Sequence, residues 1–212
     1  NVAHVTVTMP FTHFWSLSIE EQFYIFLPAL VLLLRARPGS VAALAIVACA
    51  VPLALRFIGA ARHPELLDTE YFYLRTELRI DSIAFGVLAA SLCELPRGRA
   101  LIRFLIRPLP VAAALLVLIF CFAYREPFFR ETLRYSLLAA VIAIGMSAIV
   151  FSARYAPANW LLNTAPAAWI GRLSYSLYVW HLATGEAVKY ELAGQPRAIV
   201  ALAALAACVA MA

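Results

Sequence analysis

Two adjacent carboxylates, Glu20 and Glu21, stand at the entry of an apolar run, within His13-Phe14-Trp15-Ser16-Leu17-Ser18-Ile19-Glu20-Glu21-Gln22-Phe23-Tyr24. A charge moved towards hydrocarbon costs roughly 2.5 kcal/mol or more, so a carboxylate there needs a partner or a task. Adjacent helical residues point about 100° apart, so the two acids cannot easily share one role. Ser18 and Glu21 have the spacing of a capping box, hydroxyl to the N3 amide and carboxylate back to the cap amide. Glu20 has no such structural task, and its face continues through Phe23, Tyr24 and Leu27. It is the candidate base, orienter or ion-pair partner; a solvated acid at a helix start is the plainer alternative. His13, Trp15, Glu21 and Tyr24 are candidate substrate contacts around it.

A second group is Arg75, Glu77, Arg79 and Asp81. On a helix, Arg75 with Arg79 and Glu77 with Asp81 are i,i+4 neighbours, giving one positive and one negative column. Neither column neutralises itself, so each wants opposite charge from another helix. Arg79 and Asp81 lie deepest and are the candidate catalytic residues, with Arg75 nearer the surface as a substrate contact. Arg79 to Glu20 is the expected pairing, and interfacial ion pairs without catalytic meaning are the alternative. The third group is Ser174, Tyr178, His181 and Gly185, one polar stripe at helical spacing. His181 lies ten residues beyond Gly171, so about 15 Å into its span. An ionisable group at that depth is a catalytic candidate, and Tyr178 a substrate contact, unless the stripe is packing glue.

These residues sit in a chain of 212 residues that is 64% hydrophobic and only 14% charged, with a mean hydropathy of +0.85. Soluble domains average about 25% charged, so the composition is that of an integral membrane protein. The formal charge of +5 fits basic loops facing anionic lipid. No basic run is interleaved with exposed aromatics, so nucleic acid is not an expected partner. Cys49, Cys93, Cys121 and Cys208 fall in separate apolar runs, as small buried residues rather than disulfide partners or metal ligands. No Gly-rich phosphate loop, nucleophile elbow or zinc motif is present.

Residues 1–17 read as a surface loop, followed by seven apolar runs of a single domain. The runs cover about 19–34, 41–58, 77–92, 111–124, 135–151, 170–188 and 198 to the end, lengths that suit a hydrocarbon core of about 30 Å. Pro28 and Pro52 break hydrogen bonding within the first two. The basic residues divide evenly between alternate loops, and the tight Arg97, Arg99, Arg103, Arg107 cluster places that side in the cytoplasm. Glu20 and Arg79 then enter from outside. The expected fold is all-α, a polytopic transmembrane helical bundle with about seven helices in this chain.

The stretch HFWSLSIEEQFYIFLP resembles the signature of the membrane acyltransferase 3 family, LRIDSIAFG its later Arg-x-Asp segment, and GRLSYSLYVWH its Trp-His helix. The resemblance implies a core of roughly ten helices that moves an acyl group, usually acetyl from acetyl-CoA, to a hydroxyl of a glycan or other small acceptor of the envelope or a secreted molecule. It implies no bound cofactor, acyl-CoA as donor substrate, and a bacterial inner membrane. The family's first helices carry a basic residue and a histidine central to transfer; that segment would precede Asn1, so this chain alone is expected to fold without turning over. Glu20 could then orient or deprotonate a partner, Arg79 hold a carboxylate or phosphate, and His181 line the path between acceptor and donor. The competing reading is a transporter of a small or polysaccharide-related substrate, because broken helices and intramembrane charge mark transporters too.

Overall fold

A computed structural model describes residues 14–35 and 37–211. Every long element is helical, as the apolar runs require. In chain order these are α1 (Phe14–Leu33), α2 (Pro38–Arg62), α3 (Tyr71–Leu74), α4 (Asp81–Glu94), α5 (Pro96–Leu105), α6 (Pro108–Ala123), α7 (Pro127–Glu131), α8 (Leu133–Phe151), α9 (Ala156–Leu162), α10 (Ala165–Glu191) and α11 (Arg197–Met211). Proline supplies four of the starts. Pro38, Pro96, Pro108 and Pro127 open α2, α5, α6 and α7, where a missing N–H leaves nothing unpaired and φ is already helical. At α7 the Glu126 carboxylate also caps the Phe128 and Phe129 amides at 3.0 and 2.6 Å.

Two compact units result. One holds 18–159; the other joins the first turn of α1 to the chain from Trp160 onward. In the larger unit the C-terminal half of α2 meets the N-terminal ends of α4 and α8. Ala60, Phe72 and Leu78 form a buried apolar cluster beneath that end, with Leu66, Leu67 and Phe128 packed on it. In the smaller unit α10 packs along α11, and Cys208 Sγ donates to the Leu177 carbonyl at 3.4 Å.

Large apolar side chains cover the outside, among them Leu32, Leu33, Leu116, Ile119, Phe122 and Val150. Water would penalise so much apolar surface, whereas lipid accepts it because the backbone is satisfied within each helix. Helices α1, α2 and α8 are each long and apolar enough to cross a membrane, and α5 with α6 makes a fourth candidate bent by 68°. The chain is an all-α membrane protein.

All seven apolar runs form helices, but they differ in length and composition. The third run loses its first turn to a 3-10 segment, Thr76–Leu78, so α4 has only 14 residues, about 21 Å at 1.5 Å per residue. Helix α11 has 15 residues, and α10, though 27 residues long, is not among the helices long and apolar enough to cross; polar and aromatic residues such as Arg172, Ser174, Tyr175, Ser176 and His181 lower its hydropathy. The cluster expected to be a basic loop is instead α5, an amphipathic helix that buries Gly98 and Ile102 and exposes Arg97, Arg99 and Arg103. Gly98 is required there, since an added Cβ would run into the Leu92 carbonyl.

Of the loop expected over 1–17, residues 1–13 lie outside the described residues, and 14–17 belong to α1. Ser18 and Glu21 therefore sit inside a helix rather than at its cap. Ser18 Oγ accepts from Gln22 Nε2 at 3.2 Å instead.

Candidate functional site

The buried charged residues of the larger unit, Arg56, Asp81 and Glu131, gather at one end, where Arg56 of α2 reaches between α4 and α8. Arg56 and Asp81 have no exposed side-chain surface. The guanidinium grips the carboxylate with two bonds, Nη1 to Oδ1 at 3.1 Å and Nη2 to Oδ2 at 2.7 Å. Nη2 also donates to Ser136 Oγ at 2.6 Å, and that hydroxyl donates in turn to Asp81 Oδ2. Nε donates to the Thr132 carbonyl at 2.9 Å, and Nη1 to that of Leu78. Every arm of the guanidinium has an acceptor. A buried pair this fully bonded repays the desolvation that would otherwise penalise two charges. It also ties three helices together at one level.

One layer away, α8 turns Tyr135 inward beside this knot. Its ring is buried and its hydroxyl donates to Glu131 Oε2 at 3.0 Å. The other oxygen of Glu131 accepts from Arg130 Nε at 2.8 Å, a bond that holds the Arg130 pKa above the ordinary guanidinium value. Three guanidinium carbons surround the Tyr135 ring: Arg79 at 3.9 Å from its centroid, Arg134 at 5.4 Å and Arg56 at 5.5 Å. Arg79 also lies 5.2 Å from the Tyr73 ring. Its Nε and Nη1 are shut off from solvent with no hydrogen-bond acceptor, as is Arg134 Nε. Neither arginine has a carboxylate partner among the described residues.

The predicted residues separate accordingly. Asp81 is at the centre of the knot, and Arg79 is beside it. The charged columns do not form, because a 3-10 turn and a non-helical Arg79 precede α4. Arg75 pairs locally with Glu77 at 2.9 Å and donates to the Tyr71 hydroxyl. Glu20, Glu21 and Tyr24 are exposed on α1, and no ion pair joins Glu20 to Arg79 among the described residues. Trp15 is partly buried in the first turn of α1; His13 lies outside the described residues. Below Thr76 and Ile80 an apolar cavity of about 200 Å³ opens between α1, α2 and α4, lined by Phe23, Leu27, Leu44 and Val87 among others.

In the smaller unit the stripe on α10 is real as a helix face, but His181 is exposed rather than enclosed. Its Nδ1 donates to the Tyr178 carbonyl, which leaves the neutral tautomer's lone pair on Nε2. The Tyr178 hydroxyl is hydrogen-bonded to Ser16 Oγ, and Ser174 Oγ donates to the Gly171 carbonyl at 2.8 Å.

A family model described as an acyltransferase domain, that of acyltransferase 3, matches residues 2–212. The chain belongs to the acyltransferase 3 family. Among curated relatives, the O-acetyltransferase OatA of Staphylococcus aureus (strain NCTC 8325 / PS 47) is 27% identical over 180 residues, covering 81% of this chain and 29% of that protein. A putative O-acetyltransferase of S. aureus strain COL is 25% identical over 190 residues, covering 82% of this chain and 30% of that protein. The chain thus spans under a third of the length of these relatives. No solved structure matches it.

Within this acyltransferase 3 chain, spacing arguments passed over Arg56, Ser136 and Tyr135. The available signal was position. Arg56 is the one charge between Val41 and Arg62 in an apolar run, and an ionisable residue so placed is a functional or pairing residue by default.

Proposed function

We propose that the chain is part of an integral-membrane O-acyltransferase that moves an acyl group, acetyl by preference, from acyl-CoA to a hydroxyl of an envelope or secreted glycan. The family match over residues 2–212 carries this reading. The relatives' names, O-acetyltransferase, favour the same chemistry. A bacterial inner membrane is the matching location.

A role for each group is part of this proposal. Acyl transfer needs a base near the acceptor and positive charge near developing or resident anions. Asp81 is saturated by Arg56 and Ser136, so it is a positioning residue that fixes the start of α4 and with it Arg79. Arg79 holds an anionic group of a substrate. Glu20, exposed on α1, orients or deprotonates a partner, and His181 lines the acceptor's path. The apolar cavity beneath Thr76 and Ile80 takes the acyl portion.

The test is CoA release by the purified full-length protein given acetyl-CoA and hydroxylated glycans. Acceptor-dependent release, falling at least tenfold in Arg79→Gln, is expected. No release with any acceptor, together with flux of a glycan into proteoliposomes, would replace the enzyme by a transporter.

A further inference from the structure

Around Tyr135 the charges do not balance. Asp81 neutralises Arg56 and Glu131 neutralises Arg130. That leaves Arg79 and Arg134, two guanidinium groups over one ring, with no ion pair among the described residues and with buried nitrogens that find no acceptor. Aromatic faces offset part of the cost of such cations but accept no directed hydrogen bonds from the buried Nε and Nη1 atoms. Both guanidinium carbons lie within 5.4 Å of one ring centroid, and like charges repel unless an anion lies between them. The neighbouring Arg56 knot fixes the start of both α4 and α8, and with them the two arginines.

We propose that Arg79 and Arg134 form a phosphate-binding subsite beside the Tyr135 ring. A carboxylate would neutralise one of the two cations. A phosphate monoester, carrying close to two negative charges and three acceptor oxygens near neutral pH, neutralises both and offers oxygens to each fork. The group belongs either to the CoA portion of the donor or to a phospholipid headgroup at this end of the bundle. The inference deepens the role given above to Arg79, yet it concerns binding rather than turnover.

Calorimetric titration of the full-length protein in uncharged detergent separates the sources, using CoA, dioctanoyl phosphatidate and inorganic phosphate as probes. At least one of the first two should bind, more tightly than inorganic phosphate, and the one that binds names the source. Arg134→Gln and Arg79→Gln should each weaken that binding tenfold or more, Arg134→Lys should weaken it less, and Arg97→Gln, on α5, should leave it unchanged. Thermal unfolding of each variant establishes that it is folded before titration. Binding unchanged in folded Arg134→Gln, or no binding of either probe to the wild type, overturns the subsite. Arginine-dependent binding without any acetyl transfer would leave the subsite standing and remove the acyltransfer reading; transfer that survives Arg134→Gln with unchanged binding would do the reverse.

Discussion

Arg56 and Arg79 lie beside the same tyrosine ring and differ in one respect. Arg56 is sealed from solvent and has an acceptor for every arm, two of them from a single carboxylate. Arg79 is partly exposed and has ring faces where acceptors would be. The first arrangement is complete without a ligand, so its natural role is architectural. The second is stable only because neighbouring groups hold it, and it has bonding capacity left over. Identity of residue type says little here; the count of acceptors separates the two arginines.

That division is broken or sharpened by removing partners in turn. Asp81→Asn should have the largest effect, because it strands a buried guanidinium. A loss of about 3–5 kcal/mol is the usual scale for such a break, read as a fall in the thermal midpoint of the purified protein. The joint replacement Arg56→Met with Asp81→Leu should recover much of it; a double variant worse than Asp81→Asn would make the pair more than architectural. Tyr135→Phe comes next. It keeps the ring under Arg79 and Arg134 but removes the bond to Glu131, a change on the order of 1 kcal/mol in unfolding, with phosphate binding retained. Loss of binding in this variant would shift the site from the guanidinium groups to the hydroxyl.

The smallest effect belongs to an exposed pair, His63 Nδ1 with Glu65 Oε1 at 3.0 Å. The Glu65 pKa is lowered first by its own backbone amide and then by His63. A lowered folded-state pKa stabilises above the ordinary carboxylate range, and the gain disappears as pH falls through the lowered value. The difference in thermal midpoint between wild type and Glu65→Gln should therefore be slight at neutral pH and vanish in acid. A difference that grew as pH fell would reverse the sign and refute the assignment.

The apolar runs were legible because each is long and its ends are marked by charge or proline; all seven became helices. Where the chain departs from expectation, local bonding won over pattern. The i,i+4 columns assumed a helix through Glu77, but the backbone stays in a 3-10 turn until Arg79, so Arg75 found Glu77 instead. The Ser18–Glu21 cap failed because α1 starts four residues earlier, at Phe14. The arginines of α5 looked like a loop because a one-sided helix of ten residues leaves only Gly98 and Ile102 to show its buried face. Asp81 was found as a member of a charged cluster, whereas its partner Arg56, 25 positions away, has no charged neighbour to draw attention to it.

The shortness of α4 has a consequence for the bilayer itself. Its 14 residues span about 21 Å, against roughly 38 Å for the 25 residues of α2. A hydrocarbon core of about 30 Å beside so short a wall has to thin or to meet protein in place of lipid. The chain reaches α4 through short helical turns at Pro64–Asp68, Tyr71–Leu74 and Thr76–Leu78, and backbone broken in this way is tolerated at depth only against protein or a water-filled cavity. Any voltage across the membrane then drops over a shorter path here, so the local field is steeper.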